Sequence, residues 1–136
     1  MASHEIADAF AELLISEDWD AAHDLVAPWL STRWTPAALA RAVRNAVKDC
    51  SGPAVWALEI SPLQYDDLLV PDGMGPPTEE LPTQLKRSRF RDWICIHFTP
   101  AEEERKGMAG CFDIWVATAE VNSDLWIGYL EFAEAT

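Results

Sequence analysis

The side chains best suited to chemistry lie in the second half of the chain. Residues 90–100, FRDWICIHFTP, set His97 in an otherwise apolar run that Thr-Pro brings to a stop. In a regular strand successive side chains alternate between faces, so His97 shares a face with Trp93 and Cys95. Asp113 lies further on, on one face with Cys111 and Trp115. A carboxylate that orients an imidazole makes a general base, so His97 and Asp113 are the candidate catalytic residues. Whether they meet depends on strand register. The 100–110 connection is too long to dictate that register, and a slip of one residue would separate the two side chains. The plainer reading of His97 is a strand-end histidine satisfied by a backbone partner. Glu59, Glu131 and Tyr129 are the other strand-borne candidates for proton transfer.

Other chemistries have weaker signals. His4, His23 and His97 are scattered and show no HxH or HExxH spacing, so no metal and no cofactor are expected. Cys50, Cys95 and Cys111 are odd in number and form no CxxC pair, which points to reduced, buried thiols. KRSRFR, residues 86–91, has the look of a basic and aromatic nucleic-acid patch. Within a chain of net charge −13 it reads instead as a solvated strand end facing acidic loops.

Three helices precede the strands that must position these groups. Ile6, Phe10, Leu13 and Leu14 form an amphipathic stripe over residues 5–15, with Glu5, Asp8 and Glu12 on the wet side. Ser16-Glu17-Asp18 starts a second helix through Trp19, Ala22 and Val26, which Pro28 ends or bends. Thr35-Pro36 is an N-cap followed by proline at the first helical position, and Gly52-Pro53 stops this third helix. Strands are expected over 54–60, 86–98, 111–120 and 125–133. Asn122-Ser123-Asp124 suits a tight hairpin between the last two. Residues 71–82, PDGMGPPTEELP, read as a loop, mobile or ordered by a partner. The order gives one α+β domain over residues 1–136, with helices packed on an antiparallel sheet.

Both alternating faces of the strands are apolar, whereas a half-solvated sheet alternates more cleanly. A second copy of the chain is the simplest cover for the outer face, so a homodimer is expected. Four of the seven tryptophans, Trp56, Trp93, Trp115 and Trp126, lie on strands. They cannot all fit under three short helices, and with Tyr129 they are the candidate pocket or interface residues.

The 23 acids against 10 Lys and Arg disfavour a nucleic-acid groove or an anionic membrane surface, and they permit a basic protein partner. Residues 1–24 hold seven of the acids and no Lys or Arg. The N-terminal stretch lacks a basic region followed by an apolar one, and no apolar run is long enough to span a bilayer, so a cytoplasmic location is expected.

The element order, the pair FAELLISEDWDAAHDLVAP, the helix start WTPAALARAV and the final DLWIGYLEF resemble the nuclear transport factor 2-like superfamily, also called the cystatin-like α+β cone. The resemblance implies a sheet curled around the helices to leave a cone-shaped pocket, and dimers formed through the outer sheet face. It also implies a choice of functions. One is a non-catalytic protein that binds a small apolar ligand or another protein. A second is an isomerase, dehydratase or cyclase using His97 and Asp113 in an apolar pocket. A third reading, from the charge, is an acidic protein masking a basic partner, as an immunity protein masks a toxin. Under the cone reading, the face of Trp93, Cys95 and His97 looks inward.

Overall fold

The computed structural model describes residues 1–49, 54–69, 75–100 and 112–133. Helix α1 (Ser3–Ile15) is followed by a short α2 (Trp19–His23) and by α3 (Pro36–Ala46). Strands β1 (Ala54–Ser61), β2 (Phe90–Pro100), β3 (Phe112–Val121) and β4 (Asp124–Ala133) form an antiparallel sheet in the order β1-β2-β3-β4. The chain is thus α+β, with three helices on an open four-stranded meander.

Local chemistry explains the boundaries. Asp18 caps α2 by accepting from the Ala21 amide, and Thr35 caps α3 by accepting from the Ala38 amide at 3.1 Å. Asn122 and Ser123 have φ of 52° and 71°, as a two-residue type I′ hairpin turn requires. Strand β2 begins at Phe90, later than the sequence suggests. Residues 87–89 form a turn in which the Arg89 and Phe90 amides donate to the Lys86 carbonyl.

The helices cover one face of the sheet. Ile6, Phe10 and Leu14 of α1 and Leu39 and Val43 of α3 pack on Ile94, Ile96, Phe98, Ile114, Val116 and Leu130. Within this core Phe98 and Phe112 stack with ring centroids 4.4 Å apart. Ile94, Ile96 and Phe98 of β2 point to the helices. This corrects the expectation that Trp93, Cys95 and His97 face inward: their face is the outer one. The helical stripes favour the even set because Ile94, Ile96 and Phe98 are aliphatic or aromatic throughout, whereas the odd set would bury an imidazole beneath α1.

Part of the outer face is covered by residues 65–69 and 75–90 of the chain itself. Leu68, Leu85 and Phe90 pack against Trp93, Ala117, Ala119 and Tyr129. Residues 75–82, the described part of the proline- and glycine-rich loop, contain no helix or strand. They are tied down by a paired Arg33–Glu79 contact and by the Thr78 amide donating to Glu131 at 2.9 Å. The rest of that loop, the 101–111 connection, Cys50 and Cys111 lie outside the described residues.

Candidate functional site

Register decides the site. His97 stands directly opposite Asp113, and Cys95 stands opposite Glu59 on one side and Trp115 on the other. All five side chains therefore belong to the outer face. His97 Nδ1 lies 2.9 Å from Asp113 Oδ1, and His97 Nε2 lies 2.9 Å from Glu59 Oε2. Cys95 Sγ is 3.7 Å from the same Nδ1. The two candidate catalytic residues are thus brought together, with Glu59 as an additional partner. Three strands supply the four groups, two of them from the C-x-H stretch of β2.

The electrostatics follow from this geometry. An ionised carboxylate only accepts, so both ring nitrogens donate when both carboxylates are charged, and the ring is then an imidazolium. Burial works against the charge. The hydrogen bonds that the ring donates to Glu59 and Asp113, and the fields of those carboxylates, outweigh it and hold the His97 pKa above its ordinary value. Burial, with the negative charges of Asp113 and Glu59, pushes the Cys95 thiol up to about 12. Cys95 is fully buried, whereas the His97 side chain remains 39% exposed. A thiol in this state is not an activated nucleophile.

The aromatic candidates are divided among three places. Trp93 and Trp115 stack on the outer face with centroids 5.4 Å apart, and Tyr129 lies 5.8 Å from Trp93. The Trp93 Nε1 is buried without a hydrogen-bond partner among the described residues. Tyr129 donates to Glu131 at 2.5 Å, and burial, that bond and nearby acids raise its pKa. Trp56 turns to the helix side and donates to Asp8 at 2.8 Å. Trp126 lines a surface hollow of about 400 Å³ together with Met1, Ile6, Leu25 and Asp24. A second hollow, about 350 Å³, lies by Trp34 and Arg41. Neither contains His97 or Asp113.

The basic run is engaged locally. Arg87 pairs with Asp66 and lies over Tyr65, Arg89 lies over Trp29, and Arg91 pairs with Glu120 at 2.6 Å. Most of the run thus lies in the turn before β2 and not in a strand end, with Arg87 and Arg91 beside acids.

Two members of the site were missed as such in the sequence. Cys95 is placed on the face of His97 by its spacing of two along a strand, but its residue type points to a buried thiol and gives it no role beside the imidazole. Glu59 was named as a lone strand acid, since nothing in the sequence pairs β1 with β2 in register. Among the described residues, no helix is long and apolar enough to cross a membrane. Comparison with protein-family models, with curated proteins and with solved structures gives no match to this chain.

Proposed function

We propose that the chain is a non-catalytic binding or accessory protein of the nuclear transport factor 2-like type, whose acidic α1–α2 surface receives a basic protein partner. One observation carries the reading. All seven acids of residues 1–24 are exposed, and among the described residues only Glu17 has a cationic neighbour, Arg44 at 3.8 Å. Glu5, Asp8 and Glu12 follow one another along the exposed side of α1. A one-signed surface of this kind steers an oppositely charged partner and rejects like-charged ones. The architectural part of the reading is supported by α1, which touches all four strands as an axial helix in a curled sheet would.

The test uses a lysine-rich peptide as probe. Glu5→Gln/Asp8→Asn/Glu12→Gln should weaken binding at least tenfold more than the charge-matched Glu80→Gln/Asp66→Asn/Asp124→Asn. Equal losses would reduce the surface to bulk charge and overturn the proposal.

The same reading includes a homodimer through the open half of the outer face. In its support, β1 is an edge strand, and Val55 on the outer face and Ile60 on the other are 42% and 52% exposed. Light scattering should give about twice the 15.2 kDa chain mass, and a monomer at micromolar concentration would remove the dimer.

The alternative of a proton-transfer enzyme draws support from the 2.9 Å contact of His97 with Asp113. It has less support than the binding reading. Both imidazole nitrogens are engaged by carboxylates, and the two hollows found among the described residues lie away from His97. A general base needs a free lone pair facing a substrate.

A further inference from the structure

We propose that Cys95, His97 and Asp113 form a binding site for one divalent transition metal of the zinc class, on the outer face of the sheet. The three donor atoms lie within 4.8 Å of one another. Tetrahedral zinc with ligand distances of about 2.0–2.3 Å places a sulfur and a nitrogen about 3.6 Å apart, and a nitrogen and an oxygen about 3.4 Å apart. The Cys95 Sγ to His97 Nδ1 distance of 3.7 Å already meets the first. The His97 to Asp113 distance of 2.9 Å is the hydrogen bond of the metal-free state, and it opens by about 0.5 Å when a metal replaces the shared proton.

Three further features favour a metal. Glu59 accepts from the remote ring nitrogen, Nε2, and so presents Nδ1 toward the other donors, as the carboxylate partners of metal-binding histidines do. All three ligands sit on paired central strands, which hold their spacing without a loop. Thiolate, imidazole and carboxylate together suit zinc or cobalt better than magnesium or calcium, which take oxygen donors. Binding converts the Cys95 thiol to a thiolate and takes the proton from Nδ1, and both protons leave to solvent. Three protein ligands would leave a fourth coordination position for water or a ligand atom.

The test is titration of the chelator-treated chain with cobalt(II), in a Cys50→Ser/Cys111→Ser background that retains Cys95 as its one thiol. One equivalent should produce an ultraviolet thiolate-to-cobalt charge-transfer band and the intense visible bands of a tetrahedral ion. Zinc should displace it stoichiometrically. Cys95→Ser should abolish the charge-transfer band, Asp113→Asn and His97→Gln should each weaken binding, and Glu59→Gln should weaken it about tenfold. Circular dichroism confirms that each variant is folded. If Cys95→Ser fails to fold, the Asp113→Asn and His97→Gln affinities carry the decision. Absence of the charge-transfer band, or unchanged affinity in both of those folded variants, overturns the site.

Discussion

His97 is gripped at both ends, and its titration should report it. Burial disfavours the imidazolium, but Glu59 and Asp113 together favour it more, so the folded pKa lies above the ordinary value near 6.5. The sign of the linkage follows. The stability contributed by this charge is fully present below the unfolded pKa and is lost as pH rises through the folded one. In metal-free protein, NMR titration of His97 should show the raised pKa, and Asp113→Asn or Glu59→Gln should each lower it toward the ordinary value. A pKa near 6.5 that neither substitution moves would mean that the carboxylates do not hold the ring. A catalytic base would not need two carboxylates on two nitrogens. A ring fixed as a ligand or as the centre of a polar cluster would.

At the scale of elements, two local features make opposite predictions. Gly128 sits at the register shift of β4, where a Cβ would lie 2.9 Å from Ala119 Cβ and 3.2 Å from Leu85, and its carbonyl accepts from Trp29 Nε1. Gly128→Ala should therefore destabilise the fold by about 1–3 kcal/mol through overpacking, read as a lower urea midpoint. Ser123 holds φ of 71° in the β3–β4 turn, a conformation that costs a non-glycine residue about 1–2 kcal/mol. Ser123→Gly relieves this but loses more chain entropy on folding, for a net gain of about 0.5 kcal/mol and a raised midpoint. That hairpin was legible in Asn122-Ser123-Asp124, and so were the three helices, because caps and apolar periods are local signals, although α2 stops at His23 and Val26 instead bridges to Ile127. The contact of His97 with Asp113 was not fixed by the sequence, since register across a long connection is set by the whole sheet. The side of the sheet that His97 occupies was misread for another reason. Trp93 and Cys95 are large or apolar enough to line a pocket, and that weighed more than the cost of burying the His97 imidazole beneath α1. The second cover, supplied by Leu68 and Leu85, was hidden in residues that lack any regular period.

The molecule as a whole carries its charge unevenly, and that has a measurable consequence. With 23 acids against 10 Lys and Arg, most carboxylates repel others in the compact state, above all along α1 and α2. The surface pairs Arg33–Glu79, Arg87–Asp66 and Arg91–Glu120 act in the opposite sense, but exposed pairs contribute about 0–1 kcal/mol each and are themselves weakened by salt. Raising sodium chloride from about 0.05 to 0.5 M shortens the screening length from above 10 Å to below 8 Å, which removes repulsion across a helix surface more than it removes contact pairs. Urea midpoints should therefore rise with salt, urea being chosen because guanidinium would itself screen. Glu5→Gln/Asp8→Asn/Glu12→Gln should raise the midpoint at low salt and flatten its salt dependence. A midpoint that falls with salt would mean that the ion pairs outweigh the repulsion. The acidic surface would then be an ordinary stabilised face, with no unbalanced charge left for a basic partner to neutralise.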